Sequence, residues 1–406
     1  MKKIFYAVAI YFIILISNKV FAQWEPMNNG IDSTSPGMYI GSFVVSGNRI
    51  FVGTFCDIYY SLNYGETWES LKVPLKDSLI SQITVSLAVN GNTIVAGFPS
   101  EGVYISTDYG NNWALKRTLS GDMQVTSVFI NKDTIFVGTD KGIYISPDIG
   151  SFWIDRTDSL LPRCVYAFAK YKSSILTAGC GVCLTTNNGI SWSIKSNGLD
   201  NAVIRTIVVN GDNLLVGNDN GNVFLSTNTG ETWSNKSYGL PGIDITSLAI
   251  KGDTILATPS LDGVYLSTNN GDSWTSKNVG YPFPALANSL LIYNDFVFVG
   301  TSHGIYRAKL SDLTTDVKDT PASSNPISLF PNPPTDNLNI NLSDDAQFIE
   351  SIEIYDQLGR LNIYKSYELS ESSGSRSISV GALPPSVYFV KITTQNSIIY
   401  KKFIKM

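Results

Sequence analysis

One histidine stands among the 406 residues of this chain, and only 16% of them are charged. Nucleophilic chemistry of the Ser–His–Asp kind would have to run through His303, and no serine sits in a nucleophile elbow. No phosphate-binding loop or metal motif appears, so neither a cofactor nor a metal is expected. Basic runs are missing too. The formal charge is −5 and falls to −8 once Lys2, Lys3 and Lys19 are removed, which argues against nucleic acid or an anionic membrane as partner. Four cysteines occur, Cys56, Cys164, Cys180 and Cys183. The Cys180–Cys183 pair has C-x-x-C spacing, but no βαβ context supports redox or zinc chemistry. Cys164 and Cys180 fall opposite one another on one expected hairpin; all three pairings of the four remain open. Beyond residue 22 no apolar run is long enough to cross a bilayer.

The apolar run that does exist is N-terminal. Lys2 and Lys3 precede residues 4–16, and Val20, Phe21 and Ala22 place small side chains at −3 and −1. That pattern predicts a signal peptide over residues 1–22, cleaved after Ala22, and hence an exported chain in which disulfides are permitted.

What the chain has in abundance is repetition. Small hydroxyl, any residue, Asp or Asn, any residue, Gly, two free positions, Trp recurs at 61–68, 106–113, 146–153, 185–192, 226–233 and 267–274. The acceptors are Asn63, Asp108, Asp148, Asn187, Asn228 and Asn269; the tryptophans are Trp68, Trp113, Trp153, Trp192, Trp233 and Trp274. Successive tryptophans lie 45, 40, 39, 41 and 41 residues apart, about the length of one four-stranded propeller blade. One unit reads as strand 125–130, a turn, strand 134–139, a turn, and strand 143–146, with a fourth strand opening at Trp153: an antiparallel meander. Such triplets begin near Ile40, Ile83, Val125, Val165, Ile204, Ile245 and Leu286, seven in all. The seventh has no Trp after it, but residues 24–30 look like the outer strands at 192–198 and 233–239. Seven blades close if the N-terminal strand completes the last one.

The eight-residue pattern resembles the Asp-box of bacterial neuraminidase-type repeat proteins. In it the Asp or Asn side chain accepts N–H bonds within its own turn, Gly takes the positive φ, and Trp enters between sheets. Four of the six acceptors are Asn, which suits a turn lock better than a calcium loop. Tyr59, Tyr104, Tyr144, Tyr265 and Tyr306 recur on the third strand, with Phe224 and Cys183 in the equivalent slots, as inter-blade packing. Composition then shifts to Ser, Thr, Asp and Pro, a linker over 311–324 after a propeller over 23–310. Residues 325–406 carry short alternating strands that read as a small β-sandwich. Their ordered motifs, Pro331-Asn332-Pro333, Asp356 to Arg360 and the terminal Lys401-Lys402-Phe403-Ile404-Lys405, resemble the type A C-terminal sorting domain of the Bacteroidetes type IX secretion system. In Pro385-Ser386-Val387 the family usually has Gly before Val-Tyr, where this chain has Ser386. The resemblance implies passage through the outer membrane by the type IX apparatus, removal of this module, and surface attachment or release; the signal peptide implies the Sec machinery before that.

Propellers place their sites where second-to-third-strand loops and inter-blade loops converge. Those loops offer Glu101, Asp140, Lys141, Asp219, Asp262 and His303 as ligand-binding candidates. A sialidase would need three arginines around a carboxylate; the propeller holds Arg49, Arg117, Arg156, Arg163, Arg205 and Arg307, with Arg49 in a turn expected on the wrong face, and no Arg-Ile-Pro string. The expectation is therefore a monomeric, all-β, non-catalytic binding propeller with an extracellular protein or glycan as ligand. The alternative is a glycoside hydrolase with carboxylates on the loops.

Overall fold

The strands of this chain are short and their central members largely apolar, so each sheet needs a neighbour on both faces. In the computed structural model the described residues are 23–32, 38–55, 57–75, 86–99, 101–117, 124–157, 164–282, 285–314, 327–330, 334, 336–342, 349–356, 361–367, 375–394 and 398–405. Among those between residues 25 and 309, seven four-stranded antiparallel sheets form. In one, Val125–Asn131 pairs with Thr134–Thr139, which pairs with Gly142–Ser146, and Ile154–Asp155 makes the outer edge. The innermost strands are Ile40–Ser46, Ser86–Asn90, Val125–Asn131, Val165–Tyr171, Ile204–Asn210, Ile245–Lys251 and Ala287–Tyr293, which number blades one to seven. Each packs beside the next, and the seventh returns to the first. The result is a seven-bladed β-propeller.

Close approach of the blades depends on residues with no side chain. A Cβ on Gly138 of blade three would lie 2.3 Å from Ser127 Oγ and 2.7 Å from the Val165 carbonyl of blade four. Gly217 and Gly300 stand at the same place in blades five and seven, where a Cβ would meet Ile245 and Ile40, each at 2.5 Å.

Closure is made by the N-terminus. Glu25–Pro26 pairs with Gly304–Lys309 as the outer strand of blade seven. Trp24 is 2% exposed; its indole N–H donates to the Lys277 carbonyl of blade six at 2.7 Å and its ring meets Tyr281 edge-on. Arg307 donates two bonds to Glu25 Oε1, at 2.9 and 2.6 Å, and one to the Tyr64 carbonyl of blade one at 2.7 Å. One two-residue strand thus ties blade seven to both neighbours.

The repeated turn has one geometry six times over. In blade one, Ser61 Oγ donates to Asn63 Oδ1 (2.9 Å), Gly65 N–H donates to Ser61 Oγ (2.9 Å), and Thr67 N–H donates to Asn63 Oδ1 (3.0 Å). The same three bonds form around Asp108, Asp148, Asn187, Asn228 and Asn269. Gly takes a positive φ, as the sequence implies, but so does the residue before it: Tyr64, Tyr109, Ile149, Asn188, Thr229 and Asn270, with φ of 54–61°. Asn adopts that conformation readily; a β-branched residue does not.

After blade seven the chain does not enter a linker at 311 as the composition suggests. Leu310–Thr314 forms a short helix whose Leu313 is fully buried in one cluster with Trp24, Leu256 and Val297. Tertiary burial of one leucine overrides a loop-like composition. Residues 1–22 and 315–326, together with Cys56 and Arg163, lie outside the described residues. Further on, Ile327–Phe330, Asn337–Leu342 and Ser375–Ser379 form one sheet, and Leu361–Ser366, Ile349–Tyr355, Ser386–Thr394 and Ile398–Lys405 a second. Leu338, Ile340, Ile352, Ile354, Ile378, Val390, Ile392 and Phe403 make the core of this small β-sandwich.

Two outcomes follow from this packing. Trp24→Ala should cost about 3–5 kcal/mol, the usual range for truncating a buried Trp, and a chain beginning at Asp32 should melt far lower or aggregate; an unchanged thermal midpoint in either would refute the closure. Thr229→Asn, which puts a left-handed-tolerant residue at φ 61°, should raise stability by about 1 kcal/mol in chemical denaturation, and a loss of stability would contradict the strain.

Candidate functional site

Glu101 accepts the Tyr104 hydroxyl at 2.7 Å and Asp262 the Tyr265 hydroxyl at 2.8 Å. Asp140 accepts the Gln124 N–H at 2.8 Å, and Asp219 the Val203 N–H at 3.1 Å. The Lys141 N–H donates to Thr139 Oγ1, and His303 holds Ser302 Oγ against its Nδ1 at 2.9 Å. These six candidates stand on blades two, three, five, six and seven, each engaged within its own blade. Arg49 lies at the opposite end, its guanidinium 4.4 Å from the centre of the Tyr109 ring.

A second constellation gathers at the axis. In six blades the innermost strand slips register after its first residue: Val125 faces Thr139, yet Ser127 faces Gly138, so Thr126 is left over as a β-bulge. Gly41, Tyr166, Arg205, Thr246 and Asn288 are its equivalents in blades one, four, five, six and seven. A bulge re-aims a side chain, and here a ring of them surrounds the channel mouth at the end carrying the rim loops. A cavity of about 240 Å³ is lined by Tyr39, Gly41, Ser42, Ser86, Thr126, Tyr166, Thr246 and Asn288. Hydroxyls, one amide and two phenol rings make this lining polar and uncharged. Some of the hydroxyls also knit the blades: Thr246 donates to the Ala287 carbonyl at 2.6 Å and Thr126 to that of Val165. The Asn288 Nδ2 is buried without a hydrogen-bond partner among the described residues.

Charge enters on one side only. The Arg205 guanidinium lies 4.7 Å from the centre of the Tyr166 ring and 3.8 Å from Asp244 Oδ1. At that distance the pair attracts without a hydrogen bond, and both Arg205 Nε and Asp244 Oδ1 are buried and unsatisfied. Burial pushes the Asp244 carboxyl above the usual range; Arg205 opposes the push and Asp219 adds to it. Tyr39 is raised by burial alone. Among the described residues no group of three His, Cys, Asp or Glu side chains is placed to hold a metal ion. Tyr166, Asp244 and Asn288 escape a sequence reading that looks for loop-tip charges. The signal that could have found Tyr166 and Asn288 is the residue after the first apolar position of each triplet; Asp244 stands one place before that position.

Comparison with known proteins then separates the two ends of the chain. Residues 328–406 match the secretion system C-terminal sorting domain. That module marks a secreted or cell-surface protein handled by type IX secretion. No curated protein matches the chain. Among solved structures, YCF48 bound to D1 peptide is 16% identical, with a TM-score of 0.55 over 72% of this chain and 98% of that one. The extracellular domain of BT4673 from B. thetaiotaomicron is 13% identical, with a TM-score of 0.58 over 94% of this chain and 52% of that one. PorZ, a surface component of the type IX secretion system of Porphyromonas gingivalis, is 13% identical, with a TM-score of 0.50 over 90% and 59%. At these identities the likeness shows a shared β-propeller fold.

Because the chain has one histidine, its titration can be assigned without labelling. Partial burial lowers the His303 pKa from the ordinary 6.5. The folded imidazole should therefore titrate below 6.5 by NMR, while the unfolded one titrates near it. The neutral ring is favoured in the fold, so stability falls as pH drops from 6.5 to the folded value and then levels. A folded pKa above 6.5 would contradict the burial.

Proposed function

We propose that this is a non-catalytic binding propeller, displayed or released at the cell surface, whose ligand inserts a neutral polar group into the axial mouth. The observation that carries the reading is the bulge ring: residues from separate blades converge on one uncharged cavity. At about 240 Å³ it is smaller than the ~300–1,000 Å³ of sites that engulf a drug-sized molecule. It suits one sugar ring or one polar side chain of an extracellular glycan or protein. Tyr39 and Tyr166 offer faces for stacking, Asn288 an unused donor, and the rim residues Glu101, Asp140, Lys141, Asp219, Asp262 and His303 a surround. Under this reading residues 1–22 are a signal peptide read by the Sec machinery, the repeated turns are structural Asp-boxes, and the chain works as a monomer without metal or cofactor.

A glycoside hydrolase remains the second reading, and one observation favours it. A carboxylic acid raised by burial beside another carboxylate is the pattern of a general acid with its partner, and Asp244 with Asp219 has that character.

The two readings separate by experiment. The purified protein is titrated against glucose, galactose, xylose and N-acetylglucosamine oligomers and against surface proteins of the producing cells. Tyr166→Ala with Asn288→Ala should weaken binding at least tenfold, about 1.4 kcal/mol, with the fold retained. Hydrolysis of a sialoside, xyloglucan or β-glucan that Asp244→Asn abolishes would replace the binding reading with the enzyme.

A further inference from the structure

The loop end of three blades is held by a recurring clasp. The residue just before the innermost strand faces the residue just after the second strand, sixteen positions on. In blade three the Gln124 N–H donates to Asp140, in blade five the Val203 N–H to Asp219, and in blade seven the Leu286 N–H to Ser302 Oγ at 3.1 Å. The return bond runs from the Asp140, Asp219 and Ser302 N–H groups to the same three partners' carbonyls. Blade four puts Cys164 and Cys180 at these two positions, again sixteen apart. A thiol is a poor substitute for a carboxylate or hydroxyl acceptor.

The geometry offers something stronger. The two sulfurs are 2.7 Å apart, well inside the ~3.5–4.0 Å at which even non-bonded carbon atoms rest. Val165 and Gly179 face each other in register, so Cys164 and Cys180 are the next opposed pair. Opposed residues of antiparallel strands have Cα atoms about 4.5–5.5 Å apart, within the ~4.4–6.8 Å that a disulfide spans. Backbone contact is direct here, for a Cβ on Gly179 would lie 1.8 Å from the Cys164 carbonyl oxygen. Cys183 is placed differently, in the core with Phe136 and Trp192.

We propose that Cys164 and Cys180 are a disulfide in the exported protein, a covalent form of the clasp that blades three, five and seven make by hydrogen bonding. The oxidant is a protein or small-molecule disulfide, R–S–S–R, met in the envelope. Exposed Cys180 attacks it as thiolate, breaking the R–S–S–R bond, forming a mixed disulfide and releasing one R–S⁻. Cys164 then attacks the Cys180 sulfur, forming the intramolecular bond and releasing the second R–S⁻. Two electrons pass to the oxidant, and the two cysteine protons end on two R–SH. Burial first and the neighbouring Cys180 sulfur second push the Cys164 thiol up to about 12; capping Cys180 removes the second cause before Cys164 must ionise. The bond anchors the chain two residues before Tyr166, and so steadies one wall of the axial mouth.

Peptide mapping tests this on full-length protein recovered from culture. The protein is denatured in iodoacetamide without reductant, digested and analysed by mass spectrometry. A peptide pair joined through Cys164 and Cys180 is expected, with Cys183 carbamidomethylated. Reduction should lower the thermal midpoint by about 5–10 °C, in line with opening a loop of this size, and a Cys164→Ser, Cys180→Ser double variant should show no such dependence. Full alkylation of both cysteines in the recovered protein, or linkage of either to Cys56 or Cys183, would overturn the proposal whether or not the variants fold.

Discussion

A ring of sheets has no edges only while its last joint is shut, and here the joint is two residues long. Glu25–Pro26 contributes little ladder of its own. Its strength comes from what flanks it. Trp24 is buried against blade six, and Arg307 links Glu25 to blade one. Both contacts reach across the seam, so opening it exposes an indole and strands a largely buried guanidinium. Removing one partner of such a pair costs more than the pair contributes, because the remaining charge is left without its acceptor. The joint is therefore short but cooperative, and the apolar central strands of blades one and seven depend on it for cover.

The turns show how chemistry at one position sets the residue at another. Where the acceptor is Asn, its Nδ2 needs an acceptor in return and finds a hydroxyl four residues on: Asn63 with Thr67, Asn187 with Ser191, Asn228 with Thr232 and Asn269 with Ser273, each at 2.9 Å. Where it is Asp, no donor is left over, and the fourth residue changes. Asn112 instead donates its side-chain N–H to Asp108 Oδ2 at 2.6 Å, and Phe152 offers Asp148 only its backbone. These bonds hold both carboxyls below the usual range, the Asn112 side chain leading for Asp108 and the Phe152 N–H for Asp148. The exchange of Asn for Asp is a change of partner rather than a change of role.

Much of the propeller was legible because it is local. A turn lock needs its residues at fixed spacing, so hydroxyl, acceptor, Gly and Trp stand in the chain as they stand in space. The C-terminal module was legible for the same reason, as ordered motifs. The left-handed residue before each Gly was not, since Tyr, Ile and Thr at that place carry no preference for φ above zero; the hydrogen bonds on either side impose it. The bulge ring was harder still. Gly41, Thr126, Tyr166, Arg205, Thr246 and Asn288 share a position but no chemistry, and a search for recurring types passes over them. Asp244 was invisible because its raised pKa comes from burial and from Asp219, against the opposing pull of Arg205, and only the packing of blades five and six creates that setting.

The division between what repeats and what varies bears on where a ligand belongs. A residue that must lock a turn or clasp a loop cannot change without cost, and the rim carboxylates Asp140 and Asp219 are of that kind, each holding an N–H sixteen residues back. The bulge side chain has no such duty in most blades, for the slipped register already leaves it outside the ladder. Glycine, threonine, tyrosine, arginine and asparagine all occupy it without disturbing the strand pairing around them. Recognition demands side chains that can differ from blade to blade while the frame stays constant. Under the proposed binding reading the axial mouth supplies them, with the rim loops around it.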